Sequence, residues 1–183
     1  MRRVRYSVAM SLDGYIAGPD GENDWIVMDP DIDFNALLGQ FDTVLLGRKT
    51  YEATRGYGGG GMPGMSAYVF SKTLRAADCP GVTVSDNPVQ TLSELKAAPG
   101  KDIWLFGGGS LFRSLLDLRA VDTVEVAIIP VLLGSGVRLL PEPAQMAKLE
   151  LQASRVYPKT GTVALTYGLA PPASRAKQRR KAA

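Results

Sequence analysis

Thr43-Val44-Leu45-Leu46-Gly47-Arg48-Lys49-Thr50-Tyr51-Glu52 is the stretch on which the fold class turns. Its first five residues form a short, almost wholly apolar run, as expected of a strand covered on both faces. The run ends in glycine and passes straight into a plausible helix start at Arg48. A junction of this kind presents unpaired backbone N–H groups and the positive end of a helix dipole where a phosphate can sit. Arg48 and Lys49 add positive charge for its oxygens. Taken alone, the motif reads equally well as a tight turn with solvated basic side chains.

The same architecture recurs downstream. Asp102-Ile103-Trp104-Leu105-Phe106 reads as a second buried strand, and Gly107-Gly108-Gly109 leads into a helix from Ser110 to Leu118. Phe112 breaks the G-x-G-x-x-G fingerprint, so this is not the Rossmann motif. Both junctions fall at carboxyl ends of strands, where open α/β sheets bind ligands, and together they favour a dinucleotide. A third strand end, Val69-Phe70-Ser71-Lys72-Thr73, offers hydroxyl and amine groups suited to a 2′-phosphate, although its composition is ordinary for a loop.

Between these junctions the chain alternates strand and helix. Val4–Met10 reads as a strand and residues 11–25 as a long Gly- and Asp-rich loop. Asp29–Phe41 has apolar residues at near-helical spacing. Three acids at its start, Asp29, Asp31 and Asp33, suit helix capping. Residues 56–64 hold six glycines and predict a flexible loop. Strands follow at Ser66–Phe70 and Val82–Ser85. A helix opens at Asn87-Pro88 and closes before Pro99-Gly100. Val121–Ile129 reads as a strand, Pro130–Gly136 as a turn, and Leu149–Val156 with Thr162–Leu169 as a closing antiparallel pair. The class is α/β with a mixed sheet, in one domain over residues 1–170. Residues 171–183, led by Pro171-Pro172, predict a disordered basic tail.

Composition narrows the chemistry. The chain has 183 residues, 45% hydrophobic and 21% charged, with no histidine and one cysteine, Cys79. Absence of histidine removes Ser-His-Asp and Cys-His nucleophile systems, and no metal site is expected. No apolar run approaches the length of a membrane span, and nothing points to export, so the expected compartment is the cytoplasm. The formal net charge is +3, yet residues 6–173 hold thirteen basic against eighteen acidic side chains, a net −5. The basic excess comes from Arg2, Arg3 and Arg5 and from the tail. An acidic body disfavours nucleic acid as a partner.

The order of these motifs resembles the dihydrofolate reductase superfamily. The likeness is greatest to the reductase domain of the bifunctional deaminase-reductases of riboflavin biosynthesis, here in a stand-alone form without the deaminase domain. It rests on Met10-Ser11-Leu12-Asp13-Gly14-Tyr15-Ile16-Ala17, on Leu46–Glu52, on Phe106–Gly109 and on Pro130-Val131-Leu132-Leu133-Gly134-Ser135-Gly136. It implies a three-layer α/β/α fold around a mixed, mostly parallel sheet with a C-terminal antiparallel hairpin.

It also implies NADPH as cofactor. Gly47, Arg48, Lys49 and Thr50 would meet the pyrophosphate and 2′-phosphate, and Ser71, Lys72 and Thr73 the adenosine side. Gly107, Gly108, Gly109, Ser110 and Leu111 would form the glycine turn. Ala9 and Ile16 would flank the nicotinamide, with Asp13 and Trp25 bordering the substrate. Two positions depart from the riboflavin-pathway pattern: Phe106 stands where a Glu is common, and Tyr15 where a basic residue is common.

The function expected is NADPH-dependent reduction of a small flat heterocycle of pyrimidine or pterin type; the alternative is a non-catalytic NADP(H)-binding module or sensor. Without histidine the proton must come from a carboxylic acid, Tyr or water. Asp13, with a raised pKa, is the first candidate and Asp31 the second, with Asp33 next in spacing. A homodimer is expected through the C-terminal strands, from apolar surface at Val124, Val126, Ile128, Leu151, Val163 and Leu165.

Overall fold

The computed structural model describes residues 1–55 and 62–170. The glycine-rich stretch 56–61 and the basic tail 171–183, both subjects of expectations above, lie outside the described residues. The main sheet has eight strands in the order β5-β4-β3-β6-β1-β7-β10-β9. They are β1 (Val4–Ser11), β3 (Phe41–Gly47), β4 (Ser66–Phe70), β5 (Thr83–Ser85), β6 (Asp102–Gly107), β7 (Thr123–Ile129), β9 (Leu149–Tyr157) and β10 (Thr162–Leu169). Neighbours from β5 to β7 pair in parallel, and β10 runs antiparallel to both β7 and β9. The helices are α1 (Phe34–Leu38), α2 (Arg48–Thr54), α3 (Pro88–Ala97) and α4 (Gly109–Asp117).

Strand alternation sorts the core into two layers. Leu45 points to the face where α3 and α4 bring Leu92, Leu95, Phe112 and Leu115 against Tyr6, Ile103 and Leu105. Val44 and Leu46 point the other way, to Tyr51 of α2, with Trp104 and Phe106 alongside. The three-layer α/β/α arrangement with a mixed, mostly parallel sheet is therefore present. On the α2 side, among the described residues, the half of the sheet formed by β1, β7 and β10 faces the short α1 and the loop before it. That half is left as a cleft.

Several local expectations change. Of the helix expected over Asp29–Phe41, only Phe34–Leu38 forms, capped by Asp33, whose carboxylate accepts from Ala36 N at 2.9 Å. Asp29 is buried and committed elsewhere, accepting from Thr160 N and Thr160 Oγ1, and Phe41 already belongs to β3. Two short strands pair into a second small sheet: β2 (Tyr15–Ala17), inside the segment expected as a loop, and β8 (Val137–Arg138), just past the expected turn.

The basic residues Arg2, Arg3 and Arg5 each meet an acidic partner. Arg2 is buried and bonds Asp42 and Thr43 Oγ1, while Arg3 pairs with Asp102 at 2.6 Å. Arg5 pairs with Glu125 at 2.6 Å. Val124 and Val126 lie in the core beneath the helices, so they supply no surface for an interface. The exposed apolar side chains of the C-terminal strands are Leu149, Leu151 and Val156 on β9.

Candidate active site

The cleft has a volume of about 1590 Å³ and runs from the carboxyl ends of β3, β4 and β6 to the open face of β1, β7 and β10. At one end the two glycine junctions stand side by side, because Leu46 of β3 pairs with Gly107 of β6. A Cβ built on Gly47 would lie 3.6 Å from Gly107 O, and one built on Gly108 would lie 3.3 Å from Thr50 Oγ1. Gly47 and Gly108 are the N-caps of α2 and α4, and neither helix start carries a side-chain cap. Two sets of first-turn N–H groups, with their dipoles, therefore converge on one spot.

Gly107 has φ +140°, a conformation that favours glycine. Gly109 is required for a different reason. A Cβ there would collide with Arg138 O and lie 2.9 Å from Leu139 O, where the chain from β8 crosses the start of α4.

Gly47, Arg48, Lys49, Thr50, Ser71, Lys72, Gly108, Gly109, Ser110 and Leu111 all line the cleft, as do Ala9 and Ile16. Thr73 and Gly107 do not. Thr73 instead closes a turn, its N–H donating to Ser71 Oγ at 3.1 Å, with Leu74 N donating to the same oxygen at 3.0 Å. Arg48 is partly committed, its Nη1 lying 3.0 Å from both carboxylate oxygens of Glu52. Lys49 and Lys72 join no ion pair among the described residues, so their charge is available to an anion.

Asp13 does not line the cleft. Its carboxylate accepts from Ser11 Oγ at 2.6 Å, Leu133 N at 3.1 Å and Gly134 N at 2.7 Å, pinning the loop after β1 to the loop after β7. The Ser11 hydrogen bond, helped by the backbone N–H groups of Gly134, Leu133 and Asp13 itself, outweighs a small desolvation cost and lowers its pKa to about 2. The pKa is lowered where a raised one was expected, and a carboxylate held by three donors gives Asp13 no support as the proton donor.

Asp31 also lies outside the cleft, paired with Lys159 at 2.7 Å on the outer surface. Asp33 reaches the cleft wall but spends its carboxylate on capping α1. Trp25 does not line the cleft; its Nε1 donates to Glu22 O at 3.1 Å, and Ile26, Val27 and Met28 form the wall in its place.

The far end of the cleft has a polar floor that the motifs did not reveal. Arg5, Ser7, Trp104, Glu125 and Thr166 share one face of neighbouring strands, with Gln40 beside them. Arg5 Nε and Nη2 donate to the two Glu125 oxygens at 2.6 and 2.8 Å, and Nη1 donates to Gln40 Oε1 at 2.7 Å. Burial opposes the charged form of Arg5, but Glu125 and Asp102 outweigh it and raise its pKa. The readable sign was a pair of opposite charges in two apolar strands, Arg5 in Val4–Met10 and Glu125 in Val121–Ile129. Trp104 walls this end, 5.0 Å from Phe106 and 5.7 Å from Phe41 between ring centroids.

Comparison with known proteins bears on the fold and the family. The uncharacterized protein YyaP of Bacillus subtilis (strain 168) is 35% identical over 182 residues, covering 91% of this chain and 94% of its own. Among solved structures, a protein of Shewanella sp. PV-4 named for riboflavin biosynthesis superposes with a TM-score of 0.77 at 24% identity, covering 93% of this chain and 100% of the other. Dihydrofolate reductase from Enterococcus faecalis, complexed with NADP(H), superposes with a TM-score of 0.67 at 18% identity, covering 92% and 97%. These two likenesses establish the fold. Residues 2–163 match the family described as RibD C-terminal domain, and the chain belongs to that family.

Proposed function

We propose that the protein is an NADPH-dependent reductase of a small flat heterocycle of pyrimidine or pterin type. The observation that carries this reading is the convergence of two uncapped, glycine-led helix starts beside Lys49 and Lys72 at one end of a continuous cleft. Backbone N–H groups of α2 and α4 would take the pyrophosphate, and Thr50 stands at their meeting point. Lys49, Lys72 and the outer part of Arg48 would take the 2′-phosphate, and Ser71 the adenosine side. Ala9 and Ile16 offer an apolar wall for the nicotinamide. When bound, NADPH supplies a hydride at the nicotinamide ring. The chain's own contribution is to bind, orient and shield: Trp104, Phe106 and Ile32 exclude water around a flat ring, and the strand floor fixes its depth.

Asp13 and Asp31, the expected acids, lie outside the cleft lining, so the proton comes from water admitted at the mouth of the cleft. That geometry is also what favours the second reading, a non-catalytic NADP(H)-binding module. Incubation with NADPH and a panel of pterins and aminopyrimidines separates the two. Cofactor oxidation supports the reductase; binding without oxidation of any panel member supports the module.

Eight of the nine residues of β9, the last strand of the sheet, are exposed, including Leu149, Leu151 and Val156. An open apolar edge invites pairing with another copy, and a homodimer through this strand is part of the proposal.

A further inference from the structure

We infer that the Arg5–Glu125 pair is the polar end of the substrate subsite and that it selects a neutral lactam edge, an N–H beside a C=O, on a flat heterocycle. The inference rests on the reductase reading above.

Three observations support it. The first is position. Ser7 of β1 pairs with Glu125 of β7, and Ala9 pairs with Ala127, in adjacent strands. Glu125 therefore sits two residues deeper than the wall assigned to the nicotinamide, about 6.6 Å along the strand. That is about the span of a six-membered ring with its substituents.

The second is cost. The Arg5 and Glu125 side chains are only 10% and 12% exposed. A buried ion pair contributes little net stability, and apolar replacements are often as stable; Arg5 also lies 4.7 Å over the Phe41 ring, which holds the guanidinium in place at the floor.

The third is unused capacity. Glu125 Oε1 accepts from Arg5 Nε and from Thr123 Oγ1, which fills it. Oε2 accepts only from Arg5 Nη2 among the described residues. Nη1 is shared by Gln40 and Asp102, whereas Nη2 donates once and keeps a second N–H. A spare donor and a spare acceptor thus stand on atoms 2.8 Å apart at the floor of the cleft.

A lactam matches both, its C=O accepting from Arg5 Nη2 and its N–H donating to Glu125 Oε2. Arg5 also meets Asp102 at 3.4 Å, but Arg3 balances that carboxylate, so the group of two arginines and two acids is neutral and offers no net negative charge to a protonated diaminopyrimidine. This pole differs from a lone carboxylate in preferring the neutral ring.

The test uses pterin, which has the lactam edge, and its diamino analogue, titrated into the full chain with and without saturating NADPH. Wild type is expected to bind pterin at least tenfold more tightly than the analogue. Arg5→Met/Glu125→Met is expected to lose that preference, with its fold checked by melting and its NADPH affinity retained. Glu125→Gln should weaken pterin at least tenfold. Equal affinities in wild type, or a preference that survives in the double variant, would overturn the inference. The wild-type comparison decides even if the double variant does not fold. Failure of NADPH to bind while the pterin preference persists would count against the cofactor reading and leave this one standing.

Discussion

Asp13 is an acid beside glycine whose hydrogen-bond donors are mostly remote in the sequence. Its donors Leu133 and Gly134 lie 120 and 121 positions away, so nothing near it in the chain reveals them. Ser11, two residues before it, was the one local clue. The folded pKa, about 2, lies below the ordinary 3.8. Ionised Asp13 therefore stabilises the fold above the ordinary value, and that contribution is lost as pH falls towards about 2. Asp13→Asn should lower Tm at neutral pH, with the gap to wild type closing across that acid range in melts run at stepped pH. Turnover should show no acid limb that this substitution removes. Lys72 lines the cleft at the end of β4, a position that a local strand-end pattern singles out. Lys72→Ala should cut the preference for NADPH over NADH about tenfold, the size of one charge-assisted contact, read from paired binding titrations.

The two strand–glycine–helix junctions could be read in the sequence because each is a local signal: an apolar run, a glycine and a helix start within ten residues. The β2–β8 pair could not, since two short strands over 100 residues apart carry no periodicity of their own. The shortened α1 escaped notice for a related reason. Apolar spacing from Ile32 to Phe41 fits a helix, but Asp29 is held by Thr160 and Phe41 is taken by β3. The junctions also make unequal demands on glycine. Gly47→Ala places its Cβ 3.5 Å from Leu111 Cβ, an ordinary contact, and should leave the fold intact. Gly109→Ala drives a Cβ into Arg138 O and should cost about 1–3 kcal/mol of stability, with cofactor binding lost as α4 shifts. Thermal melts of the two variants side by side check this difference.

For the molecule as a whole, the sheet is closed by helices on one face and left half open on the other, and that asymmetry produces the cleft. The edge at β9 is the second consequence of the layout. Light scattering at micromolar concentration should give about twice the chain mass of 19.6 kDa, and Leu151→Lys should return the monomer. On the proposed reading, the paired helix starts, together with Lys49 and Lys72, which join no ion pair among the described residues, would set cofactor choice. Calorimetric titration of the full chain with NADPH and NADH, at one salt concentration, tests this directly. At least tenfold tighter binding of NADPH is the predicted result; equal dissociation constants, or no binding of either cofactor, would contradict it.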